Sequence, residues 1–69
     1  MKFHRKHVIP GLIYETQTEP NNYRIVTKLI DFNKCEVFYS LDQEYGFPTI
    51  AAIVKGVLEG RITIIGKEK

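Results

Sequence analysis

The apolar positions along this 69-residue chain change period once. Over residues 23–30 and 35–41 the side chains sort into two alternating faces, the mark of strands with one face turned to a core. Ile50, Ile53, Val54, Val57 and Leu58 then fall at i, i+3, i+4, i+7 and i+8, one stripe on a 3.6-residue period. Pro48 suits a helix start, Thr49 can cap it, and Gly60 lies where a C-terminal cap belongs. Gly56 lies inside that helix at a cost of roughly 1 kcal/mol relative to Ala. With Ala51 and Ala52 it leaves a smooth outer surface, either mere tolerance or a site of close approach by another backbone, within the fold or from a second subunit.

Ahead of the helix, Leu12-Ile13-Tyr14-Glu15 reads as a short strand and residues 16–22, with Pro20, as a polar loop. Residues 23–30 form the strongest strand, rich in β-branched and aromatic side chains. Its alternation puts Tyr23, Ile25, Thr27 and Leu29 on the core face and Arg24, Val26, Lys28 and Ile30 on the other. Asp31-Phe32-Asn33-Lys34 is a hairpin turn. Residues 35–41 are the partner strand, with Cys35, Val37, Tyr39 and Leu41 inward. Phe38 sits on the nominally polar face, either shared by a strongly curved sheet or offered to a partner. Residues 42–46 read as a polar connection, and Ile62-Thr63-Ile64-Ile65 as the last strand.

The pattern therefore predicts an α+β fold in the order β-β-β-α-β: a curved antiparallel three-strand meander, one amphipathic helix across it, and a final short strand. The expected core is Leu12, Tyr23 or Ile25, Leu29, Val37, Tyr39, Ile50, Ile53, Val54, Val57, Leu58, Ile62 and Ile64. The chain divides into a basic N-terminal arm at 1–9, a single domain at 10–66 and a charged tail at 67–69. The arm orders only if Phe3 or Val8 finds a groove.

A domain of this length buries only about 60% of its unfolded surface, so oligomerisation is a natural aid to its stability. Cys35 is the only cysteine, so no internal disulfide can form. A buried, inert thiol and a reducing, cytoplasmic setting follow. No apolar run follows the basic start or reaches spanning length, so neither a secretory leader nor a membrane helix is expected. The net charge of +2 is uneven: residues 1–35 carry six cations against three carboxylates, residues 36–69 four against five.

Chemistry-bearing motifs are absent from this reading. His4 and His7 make an incomplete metal pair on a cationic segment. Glu15, Glu19, Glu36, Asp42, Glu44 and Glu59 carry no spacing that singles out a catalytic pair. The sequence holds no nucleophile elbow, phosphate loop or zinc-protease motif. No enzyme, cofactor or metal is expected. The leading expectation is a regulatory binding module that contacts nucleic acid through Lys2, Arg5 and Lys6 of the arm and through Arg24, Lys28 and Phe38 of one strand face. The alternative is a protein-interaction module, homodimeric through an edge strand or the helix. It would pair by strand addition at residues 62–65 or at residues 12–15.

Three runs carry a resemblance to a known group: Gly11-Leu12-Ile13-Tyr14, Tyr23-Arg24-Ile25-Val26 and Val37-Phe38-Tyr39, followed by a loop and the Gly60-Arg61-Ile62 return. Over about three quarters of the chain this spacing resembles the small, strongly bent β-barrels of Src-homology-3-like shape among phage and prophage accessory proteins. The resemblance implies an accessory or regulatory binding protein and assigns no functional residue.

Overall fold

A computed structural model describes residues 2–67. Beyond Lys67, the charged tail lies outside the described residues. Five strands and one α-helix follow a single 3₁₀ turn at Arg5–His7: β1 (Leu12–Thr16), β2 (Glu19–Asp31), β3 (Lys34–Tyr39), β4 (Glu44–Gly46), α1 (Ile50–Leu58) and β5 (Ile62–Lys67). The strands form one sheet in the order β4-β3-β2-β1-β5, every neighbouring pair antiparallel. The fold is α+β, and its first three strands make the expected meander. The strand count and order differ from the sequence expectation. Residues 44–46, read as a connection, pair with β3 as a fourth strand too short to show a period. The last strand returns to the far side of β1. The presumed loop at 19–22 is the start of a 13-residue β2. Asn21 sits there at φ 71, its N–H held by the Glu15 carboxylate.

The helix ends where local chemistry says it should. Thr49 Oγ1 accepts the Ala52 N–H at 3.2 Å. The β2–β3 turn supplies the rest of the N-terminal cap: the Asn33 backbone carbonyl accepts from Ile50 N–H at 2.9 Å and its Oδ1 from Ala51 N–H at 3.1 Å. At the other end Gly60 takes φ 80, its N–H bonds the Val57 carbonyl, and the Arg61 N–H bonds the Gly56 carbonyl. That pair of bonds is the Schellman closure, which a glycine permits without strain.

The core lies between α1 and one sheet face: Val8, Leu12, Tyr14, Val26, Cys35, Val37, Ile50 and Ile53 are buried. Phe3, Tyr39, Val54, Ile62 and Ile64 pack against them half-buried. Three expected core residues are largely exposed instead: Leu29, Leu58 and, at 37%, Tyr23. Leu41 is exposed too, because β3 stops at Tyr39. The basic arm meets the condition set for its ordering, since Val8 enters the core and Phe3 packs against it.

Face assignment in β2 is reversed from the sequence reading as far as Val26. Asn22, Arg24 and Val26 point inward, opposite Tyr39 and Val37 of β3 and Tyr14 of β1. Asn22 is tolerated there because it is bonded: it donates to Asp42 Oδ2 at 3.0 Å and accepts from Leu41 N–H at 3.1 Å. A bulge between Val26 and Lys28 then shifts the register, so that Lys28 faces Glu36 and Leu29 faces Cys35. One extra residue changes parity, so strict alternation cannot describe both halves of the strand.

Two glycines mark close approaches. A Cβ on Gly46 would lie 2.3 Å from Tyr39 Oη, so its bare backbone makes room for that phenol. A Cβ on Gly56 would lie 2.4 Å from Ile62 Cδ1. Gly56 is buried against β5, which corrects its placement on the smooth outer surface, and what approaches it within the fold is the Ile62 side chain and not another backbone.

Candidate functional site

The six residues proposed for nucleic-acid contact do not converge. Lys2, Arg5 and Lys6 are exposed together at the N-terminal end, beside α1. The Arg5 guanidinium is anchored, donating to the Phe32 carbonyl at the tip of the β2–β3 turn. Arg24 is on the inner face: its side chain is 13% exposed, ion-paired with Glu19, with its guanidinium carbon 5.0 Å from the centre of the Tyr39 ring. Its Nε is buried without a partner. Lys28 lies on the opposite face, past the bulge. The expected Arg24/Lys28 patch is therefore corrected, because the register shift separates the pair and Arg24 is committed to Glu19 and Tyr39.

Phe38 lies on the outer face and is half-buried by its neighbours, its ring 5.1 Å from that of Tyr45 at 60°. It belongs to a row of directly paired residues that crosses four strands, Tyr45–Phe38–Ile25–Ile13. Beside the row lie Lys28 and Glu36, the latter accepting the Thr27 hydroxyl at 2.7 Å. Aromatic platform and arm cations thus occupy different surfaces, whereas single-strand binding sites interleave them.

The two strand segments named for strand addition also part company. Leu12–Thr16 is interior, paired on one side with β2 and on the other with β5. Residues 62–65 belong to β5, an edge strand paired only with β1 among the described residues. Along β5, Ile62 and Ile64 are half-buried and Thr63 and Ile65 exposed. From Ile62 to Gly66 it carries no charge and no proline, the usual devices that blunt an edge.

The remaining reactive groups are structurally engaged. His7 Nδ1 accepts the His4 backbone N–H at 3.0 Å, which uses one of the two imidazole nitrogens of that pair. Burial pushes the Cys35 thiol above its ordinary value, and the same cause raises the Tyr14 phenol, partly offset by the Arg24 charge. Such a thiol is poorly nucleophilic, in line with the inert cysteine expected. Among the described residues no group of three His, Cys, Asp or Glu converges as a metal site, and no helix is long and apolar enough to cross a membrane. Sequence reasoning missed a groove between the N-terminal segment, α1 and β5, because its walls come from segments far apart in the chain. No protein family, curated protein or solved structure matches this chain.

Proposed function

We propose that the chain is a small non-enzymatic protein-interaction module that works by β-augmentation at the free edge of β5, with a second copy of itself as partner. The observation that carries this reading is the edge itself: six residues, β-branched at four, and uncharged from Ile62 to Gly66. The opposite edge, β4, offers only three residues. An isologous contact pairs β5 antiparallel with its copy, continuing both sheets. Inward Ile62 and Ile64 of each copy then meet across the junction, enlarging the core of a small domain. An accessory role of this kind is also what the likeness to small phage and prophage proteins implies.

The test is molar mass by light scattering across a concentration series, for the wild type and for Ile65→Lys. Ile65 is exposed, so the substitution leaves the fold intact while charging the edge. A dimer that Ile65→Lys converts to a folded monomer supports the reading. A wild type that stays monomeric throughout refutes self-pairing.

A second reading keeps nucleic acid as the partner, with the contact confined to the arm. Its support is the shared exposure of Lys2 and Lys6 beside Lys67. Amide NMR titration with random-sequence duplex DNA tests it. Shifts at residues 2–7 that shrink from low to physiological salt support it, and unchanged spectra at low salt remove it.

A further inference from the structure

We infer that the groove between the N-terminal segment, α1 and β5 binds an amphiphilic anion, a medium-chain carboxylate of the fatty-acid type. Its floor is apolar, built from Phe3, Ile9, Leu12, Val57 and Ile64. Its rim is cationic: Lys2, Lys6 and Lys67 reach it from two ends of the chain, with His7 beside them. No carboxylate lines it among the described residues. An uncharged lipid gains nothing from the three exposed ammonium groups, and a simple anion leaves the apolar floor wet. A ligand with a hydrocarbon tail and one anionic head answers both, the head taking charge-assisted hydrogen bonds from the lysines. The volume, about 520 Å³, falls within the roughly 300–1,000 Å³ range of small-molecule sites.

The groove shares Ile64 with the proposed pairing of β5, so binding and pairing are read separately. The groove uses the inward Ile64, whereas the pairing test substitutes the outward Ile65. Binding is therefore measured both on the wild type and on Ile65→Lys, by methyl NMR of Leu12, Val57 and Ile64 during titration with sodium decanoate kept below its micellar concentration. Decanol is the uncharged control, and octanoate shortens the tail.

The expected result is saturable shifts confined to the groove. Affinity should fall about three- to fourfold for each methylene removed. The double variant Lys6→Gln, Lys67→Gln should bind at least tenfold more weakly, as should decanol to the wild type. Both lysines are exposed, so that variant folds. Equal affinity for decanoate and decanol, shifts centred on Phe38 and Tyr45, or no saturable shifts would each overturn the proposal.

Discussion

Replacing Gly56 by Ala sets two terms of known size against each other. Gly56 is interior to α1, so alanine should strengthen the helix by about 1 kcal/mol through lost backbone entropy in the unfolded chain. The new methyl, however, would lie 2.4 Å from Ile62 Cδ1 and 2.7 Å from Ile62 Cγ1. Overpacking of this kind costs roughly 1–3 kcal/mol, so the variant should be neutral to about 2 kcal/mol less stable. The decisive background is Ile62→Ala, which removes both offending atoms and leaves Ile62 Cβ at 3.4 Å, an ordinary contact. There Gly56→Ala should stabilise by about 1 kcal/mol. Urea denaturation of the four proteins closes the cycle, with an expected coupling of about 1–3 kcal/mol. Ile62 is only half-buried, so its truncation leaves a measurable folded state. If Gly56→Ala stabilises both backgrounds equally, within about 0.5 kcal/mol, α1 and β5 are not in close contact and the explanation of this glycine fails.

Ile53→Asp should abolish cooperative unfolding by circular dichroism, because a charge at 2% exposure costs several kcal/mol and a domain this small has little reserve. Val54→Asp, at a half-buried neighbour, should destabilise less; the reverse order would mean a rotated helix. Arg24→Ala should lower stability by about 1–3 kcal/mol, by removing the Glu19 partner and the packing on Tyr39, without changing DNA affinity in a fluorescence assay. Loss of binding at unchanged stability would return Arg24 to the surface. The raised Tyr14 and Cys35 groups stay protonated in the fold after they would ionise in the unfolded chain. Their contribution is complete below the ordinary thiol and phenol ranges and lost as pH rises through the raised values. Thermal melts from neutral pH to about 10.5 should decline, less so in Tyr14→Phe; a flat profile would contradict their burial.

Several parts of this architecture were legible in the sequence because they depend on neighbours along the chain. The α1 boundaries rest on Thr49 and Gly60, whose own capping bonds reach three residues away, although Asn33 of the distant β2–β3 turn completes the N-terminal cap. The Asp31–Lys34 turn is equally local, with the Asp31 carboxylate accepting the Asn33 N–H two residues on. The helix stripe at Ile50 and Ile53, and the inward set Cys35 and Val37, need only a constant period, and both are buried. Of the candidate site, the exposure of Lys2, Lys6 and Lys28 was legible for the same reason, since a charge without a partner stays in water.

Tertiary structure decided what period alone cannot. Whether Arg24 or Tyr23 points inward depends on Glu19, which pairs with the guanidinium, on the Tyr39 ring packed beside it and on the Tyr14 register position, none of which shows in a linear pattern that counts Arg24 as polar. The bulge after Val26 then placed Arg24 and Lys28 on opposite faces and dissolved the basic patch. Pairing of β5 with β1 made Leu12–Thr16 interior and left residues 62–65 as the edge, a choice of neighbour that neither segment's composition encodes. The chain itself determined the helix, its caps, the Asp31–Lys34 turn and the middles of the longer strands, because hydrogen bonding and period act over a few residues, whereas β4 and the first residues of β2 became strand only by pairing. The packed fold decided which faces and edges remain to meet a partner, because burial and register are settled between segments far apart in sequence.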